Sequence, residues 1–147
     1  MSAILRCWTA SRELPTLQRL LCRAGMIFGP LFLVAVLLPI ADYQIGSREV
    51  SWREFWVSGA GPLFAAVMLL ATAGSWGLAA RRSAGRWLLV LTPLVVVASI
   101  LLYAGRDWTA VDALVLALFA ATAALNYMAL FRSPAVHHYL SDTAEPV

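Results

Sequence analysis

The chain has 147 residues, of which 61% are hydrophobic and only 13% are charged, whereas roughly a quarter of a soluble domain is charged. Its apolar residues stand in unbroken runs without the polar face of a surface helix, which argues against a soluble domain and predicts one membrane domain over residues 1–147. The net charge of +3 is explained by membrane topology, so nucleic-acid binding is not expected. All the basic residues are arginine, which we attribute to a GC-rich bacterial genome.

The N-terminal tail, residues 1–23, carries four arginines and a single acid, Glu13. Pro15 is placed to begin a short helix with leucines on one face, which predicts a helix on the membrane surface. A secretory signal is disfavoured because the charged stretch is long and no small-residue cleavage site follows the apolar run. Cys7 and Cys22 lie in this tail, where a structural disulfide is not expected if the tail is cytoplasmic.

Four apolar runs are each long enough to cross a hydrocarbon layer of about 30 Å as a helix. The predicted spans are residues 24–41, 59–80, 87–104 and 110–131. We expect an all-α protein in which these spans form an up-down integral membrane four-helix bundle. The polar tail, residues 132–147, is expected to be only partly ordered. Its His137 and His138 are poorly placed to share a metal, because neighbours on a helix point about 100° apart.

The connector between the second and third spans determines the predicted topology. It carries Arg81, Arg82 and Arg86 and no acid, and arginines close to spans are retained on the cytoplasmic side. Gly85 is predicted to supply the turn. The segments placed inside hold eight arginines and the outer loops three, which predicts that both termini are cytoplasmic in a bacterial inner membrane.

The first outer loop contains Ser51-Trp-Arg-Glu54, which has capping-box spacing and predicts a short interfacial helix between the first two spans. Glu49 and Arg53 are spaced to pair on that helix. Aromatic residues at span ends are typical of interfacial anchors; the predicted anchors are Trp52, Phe55, Trp56, Trp76, Trp87 and Trp108. An aromatic ligand or quinone pocket is the alternative for those of the outer loop.

Small and polar residues within the spans mark predicted helix contacts, since small side chains let backbones approach closely. The predicted packing residues are Gly25, Gly29, Ala71, Ser75, Ala79, Ala117, Ala121 and Asn126. The two glycines are expected to make an intramolecular contact. The alanines of the fourth span, Ala117 and Ala121, predict that this span is the centre of the bundle. Asn126 should hydrogen-bond across the bundle, a contact worth about 0.6–2 kcal/mol. A ligand contact is the alternative.

The interiors of the four spans lack Asp, Glu, Lys, Arg and His. Ion pumps, proton-coupled transporters and voltage sensors depend on such residues, so these classes are disfavoured. Catalytic and cofactor-binding patterns are not found, so an enzyme is disfavoured as the third hypothesis and no cofactor is predicted. The leading hypothesis is a non-catalytic accessory or structural subunit that contacts the lipid bilayer and either other membrane subunits or copies of itself. The alternative is a binding protein or carrier for an apolar ligand, such as a lipid or quinone.

Overall fold

The computed structural model describes residues 3–39, 43–45, 48–103 and 110–141. Within these ranges the regular secondary structure is helical apart from one antiparallel pair of three-residue strands. The elements are α1 (Ala3–Ala10), a 3-10 helix (Ser11–Glu13), α2 (Thr16–Leu37), β1 (Tyr43–Ile45), β2 (Arg48–Val50), α3 (Trp52–Val57), α4 (Ala60–Ala79), α5 (Ala84–Tyr103), α6 (Ala110–Phe131) and α7 (Pro134–Ser141). Four of the helices, α2, α4, α5 and α6, are long and apolar enough to span a membrane, as in a multi-pass membrane protein.

The four observed spans overlap the four predicted ones; the first span differs most, and α5 begins three residues earlier than predicted. α6 has the predicted bounds, and α4 differs by one residue at each end. α2 begins at Thr16, so the expected separate surface helix is wrong: those residues are the first turns of the span. No proline stands between Pro15 and Pro30, so every residue between them can supply its N–H to the helix. α2 ends at Leu37, because Leu38, which precedes Pro39, is driven out of the helical region.

The C-terminal tail is more ordered than predicted, since α7 occupies residues 134–141. Pro134 is its first residue, a position where the missing N–H costs nothing. The predicted outer turn at residues 105–108, with Trp108, lies outside the described residues.

The spanning helices form a row in chain order, α2 against α4, α4 against α5, and α5 against α6. We call the end near residues 80–83 the connector end and the end near the strands the hairpin end. The outer members of the row, α2 and α6, meet at the connector end, where Gln18 Nε2 donates to the Ala129 carbonyl at 3.3 Å. The expectation that α6 forms the centre is wrong: of its residues only Ala123 and Leu130 are buried.

Glycines allow α2 to approach α4. A Cβ atom on Gly25 would lie 2.1 Å from Ser75 Oγ, and one on Gly29 would lie 2.1 Å from Thr72 Oγ1. The two glycines therefore accept the hydroxyl side chains of α4 into notches on α2. The contact of Gly25 and Gly29 with α4 is therefore intramolecular.

The contact between α4 and α5 depends on an even closer approach at Gly85. A Cβ atom there would lie 2.3 Å from the Leu78 nitrogen and 2.7 Å from the Gly77 carbonyl carbon. The predicted turning role of Gly85 is wrong, because the left-handed residue of the connector is Arg81, with φ 57°. Arg81 N–H and Arg82 N–H close a Schellman motif on the carbonyls of Leu78 and Gly77 at 3.0 and 2.8 Å.

We predict that Gly85→Ala destabilises the protein more than Gly77→Ala. Both added methyls meet backbone atoms, but the methyl at residue 85 would lie 2.3 Å from its nearest neighbour, whereas the methyl at residue 77 would lie 3.1 Å from the Gly85 Cα. The expected loss for Gly85→Ala is about 1–3 kcal/mol, measured by equilibrium unfolding in mixed detergent micelles. Equal stabilities for the two variants would contradict the packing described for α4 and α5.

Candidate ligand-binding cavity

A cavity of about 620 Å³ lies between α2 and α6, with α4 and α5 forming its floor. Its lining is predominantly apolar, and none of the described lining residues is Asp, Glu, Lys, Arg or His. The polar side chains of the lining are Gln18, Ser75, Thr92, Ser99, Thr122 and Asn126. The cavity follows from the row arrangement, because α2 and α6 flank the other two spans without packing along each other's length.

Three hydroxyls of the lining are used within their own helices. Thr92, Ser99 and Thr122 donate to the carbonyls four residues earlier, at 2.8, 2.6 and 2.8 Å. Such bonds satisfy the hydroxyl hydrogen and leave acceptor lone pairs on the oxygen. Ser75 differs: it is 0% exposed, and its Oγ, which rests against Gly25, finds no hydrogen-bond partner among the described residues.

Asn126 links α6 to α5 at a point where a proline leaves a carbonyl without its helical donor. Pro93 has no N–H, so the Leu89 carbonyl lacks the bond that residue 93 would otherwise supply. Asn126 Nδ2 donates to that carbonyl at 3.3 Å. The interhelical bond of Asn126 agrees with the sequence prediction. Its partner could also be found in the sequence, because Leu89 lies four residues before Pro93 and its carbonyl therefore lacks a helical donor.

The polarity of the lining changes along the cavity. Gln18 and Asn126 lie towards the connector end; Asn126 is five residues from the end of α6, about 8 Å at the helical rise. The hairpin end is lined by Phe55, Leu63 and Phe64, joined by Ile100 and Phe119 of the facing spans. The cavity is therefore amphipathic, with its carboxamides at one end.

At the hairpin end, aromatic side chains cap the last carbonyls of α2. The indole nitrogens of Trp52 and Trp56 both donate to the Val36 carbonyl, at 3.2 and 3.3 Å. The Tyr43 hydroxyl donates to the Leu38 carbonyl at 2.8 Å, and it lies 3.2 Å from the Ala35 carbonyl. These carbonyls belong to a helix terminus and have no intrahelical donor. The loop aromatics therefore satisfy backbone groups of the span.

Phe55 is only 8% exposed; its ring stacks on Tyr43 at 4.7 Å between centroids. It therefore belongs to the buried hairpin-end cluster with Val36 and Ala65, and it reaches the cavity. Trp52 is exposed, and Trp56 is half-buried.

α3 begins at the predicted capping box: Ser51 Oγ accepts from Glu54 N–H at 3.3 Å, while the Glu54 carboxylate accepts from Ser51 N–H at 3.0 Å. The bond from the Ser51 backbone lowers the pKa of Glu54. The ion pair of this region joins Arg48 to Glu54 at 3.2 Å. The expected helical pairing of Glu49 with Arg53 is wrong, because Glu49 lies in β2.

At the connector end, arginines contact aromatic rings and the flanking helices. Arg81 pairs with Glu13 and stacks over the Tyr139 ring at 4.9 Å. Tyr139 donates to the Ala79 carbonyl at 2.9 Å, and burial raises the pKa of Tyr139 to about 12. Arg82 is exposed.

Arg86 lies over the Phe131 ring at 4.7 Å; its Nε and Nη1 are buried without a hydrogen-bond partner among the described residues. A His137 ring nitrogen lies 2.7 Å from the Phe131 carbonyl at the end of α6. Across the described residues, no three His, Cys, Asp or Glu side chains are grouped so as to hold a metal ion.

The remaining predicted residues separate into three groups. Ala71 and Ser75 line the cavity beside Gly25, and Ala79 is buried in the connector-end core with Cys22. Of the anchor candidates, Trp76 is half-buried and Trp87 is exposed. The Trp87 ring packs on Phe131 with 4.6 Å between the ring centroids. The α6 candidates Ala117 and Ala121 are both exposed.

Comparison with protein-family models, with curated proteins and with solved structures found no match.

We predict that Asn126→Leu destabilises the protein by about 1–3 kcal/mol, because the Leu89 carbonyl then has no donor. In a Pro93→Ala background the loss should shrink to below about 1 kcal/mol, because the restored N–H can bond to that carbonyl. Unfolding free energies of the four proteins form a double-mutant cycle. Additive losses would show that Asn126 and Pro93 act independently.

Proposed function

We propose that this chain is a non-catalytic membrane protein that binds an apolar ligand, a lipid or quinone, between α2 and α6. The observation that carries the proposal is the cavity of about 620 Å³ with a predominantly apolar lining. Small-molecule sites typically measure about 300–1,000 Å³ and combine apolar walls with a few polar groups.

The partly open shape of the cavity and its apolar lining support an occupant from the bilayer. α2 and α6 do not pack along each other's length, so the space between them is partly open and can be reached by apolar molecules of the membrane. Water is a poor occupant because most of the lining offers no hydrogen bonds. An apolar molecule of the bilayer fills this space at lower cost.

The spans are proposed to form an up-down bundle in a bacterial inner membrane with both termini in the cytoplasm. The support is the excess of arginines at the connector end, including Arg81, Arg82 and Arg86. The connector end then lies at the cytoplasmic surface and α3 at the outer one.

The orientation predicts opposite labelling of Ser83→Cys and Ser58→Cys, each in a protein whose Cys7 and Cys22 are replaced by serine or alanine. Both positions are exposed and lie at opposite ends of α4. A membrane-impermeant maleimide should label residue 58 in cells with a permeable outer barrier, and residue 83 only after lysis. The reverse pattern would invert the topology.

An accessory subunit is the second candidate. The observation that favours it is the exposure of small residues on α6, among them Ala117 and Ala121. An exposed row of alanines lets a helix from another chain approach closely. A partner of this kind would contact the protein outside the cavity, so the two candidate functions are compatible.

Filling the cavity should abolish ligand retention. Val96 lines the cavity on α5, and Val96→Phe adds volume there. Val111→Phe makes the same change at a residue that is 66% exposed on α6 and does not line the cavity.

Native mass spectrometry after gentle extraction should find a bound lipid or quinone on wild type and Val111→Phe and little on Val96→Phe. Equal retention by all three would refute the cavity as the binding site. A defined heteromeric mass without a small molecule would favour the subunit function.

A further inference from the structure

We infer that the ligand is an uncharged amphiphile whose hydroxyl or carbonyl head lies between Gln18 and Asn126, with its apolar tail directed to the hairpin end. The inference rests on the proposed function and adds the chemistry and direction of the ligand. It follows from three properties of the cavity: its charge, its hydrogen-bonding groups and their distribution.

The lining argues for a neutral head. None of the described lining residues is ionisable, so a phosphate, carboxylate or ammonium group there would be buried without an opposite charge. The nearby arginines do not line the cavity: Arg81 pairs with Glu13, and Arg86 lies over Phe131. The bond from Gln18 to Ala129 joins α2 to α6 at this end of the cavity.

Two carboxamides offer hydrogen bonds to such a head. Gln18 Nε2 and Asn126 Nδ2 each donate to a backbone carbonyl, at 3.3 Å in both cases, which orients the amide planes. An amide group has two N–H donors and a carbonyl acceptor. The second N–H and the oxygen of each amide make no hydrogen bond within the described part of the chain. They can therefore bond to a ligand carbonyl or hydroxyl.

The direction of the ligand follows from the rest of the lining. Beyond the carboxamides, Thr92 and Thr122 have their hydroxyl hydrogens committed to their own helices. The hairpin end is lined mainly by hydrocarbon side chains, Phe64 and Phe119 among them, and its Ser99 hydroxyl already donates to a carbonyl of its own helix. A head at this end would find no free side-chain donor among the described lining residues to replace its hydrogen bonds to water, whereas a tail is stabilised there.

Binding of two lipids that differ only in the head, a hydroxyl in one and a phosphate in the other, tests the inference. Dioleoylglycerol and dioleoyl phosphatidic acid have the same acyl chains, and the second adds an anionic phosphate. Each is titrated into the delipidated full chain in neutral detergent, and dissociation constants are taken from native mass spectra. We expect dioleoylglycerol to bind about tenfold or more tightly. An isoprenoid quinone is the third probe; it has carbonyl acceptors and no hydroxyl, so its binding tests whether a head that only accepts hydrogen bonds is sufficient.

The variant arm uses Pro93→Ala/Asn126→Leu, in which the Leu89 carbonyl regains a donor, against Pro93→Ala alone. The double variant should bind the neutral probes about three- to tenfold more weakly, as expected for one lost hydrogen bond. Its affinity for phosphatidic acid should not change. Equal or tighter binding of phosphatidic acid by wild type, or unchanged affinity for the neutral probes in the double variant, would overturn the inference.

The two proposals fail in different ways. If the probes bind, and Val96→Phe abolishes binding without any preference for a neutral head, the cavity is a lipid site and only the inference fails. If no probe binds, or if binding persists in Val96→Phe, both fail.

Discussion

The close approach of α4 to both of its neighbours is the constraint on which the rest of this structure depends. On one side the notches at Gly25 and Gly29 receive Ser75 and Thr72; on the other Gly85 lies against the backbone of Gly77 and Leu78. In a bilayer, where lipid tails are as apolar as leucine, helices associate through contacts of this kind. The contacts hold α2, α4 and α5 together and leave α6 at the edge of the row, joined mainly to α5.

The need to satisfy backbone carbonyls explains many of the other contacts. A carbonyl without a donor is costly at membrane depth, and the chain supplies side-chain donors at the ends of α2 and α4 and beside Pro93. Trp52, Trp56 and Tyr43 cap α2, Tyr139 caps α4, and Asn126 replaces the N–H that Pro93 lacks. Aromatic residues that sequence patterns mark as interfacial anchors can thus have a structural role within the protein.

The cavity is a consequence of both constraints. Because α6 packs along α5 and meets α2 through Gln18 at the connector end, the space between the outer helices stays open. Carboxamides that satisfy the backbone at that end also give the cavity its polar end. The proposed ligand function therefore uses groups whose first role is to complete the fold.

The sequence by itself determined the membrane class and the number and approximate positions of the spans, because apolar runs, caps and prolines act within a few residues of one another. It also indicated the capping box at Ser51 and the interhelical bond of Asn126, whose amide cannot be satisfied within its own helix. Only the tertiary structure decided that α6 lies at the edge and that Gly85 serves close packing. It also placed Gln18 and Asn126 at one end of a cavity. Small residues show that a helix can be approached closely, but which helix approaches depends on the competition among all four spans.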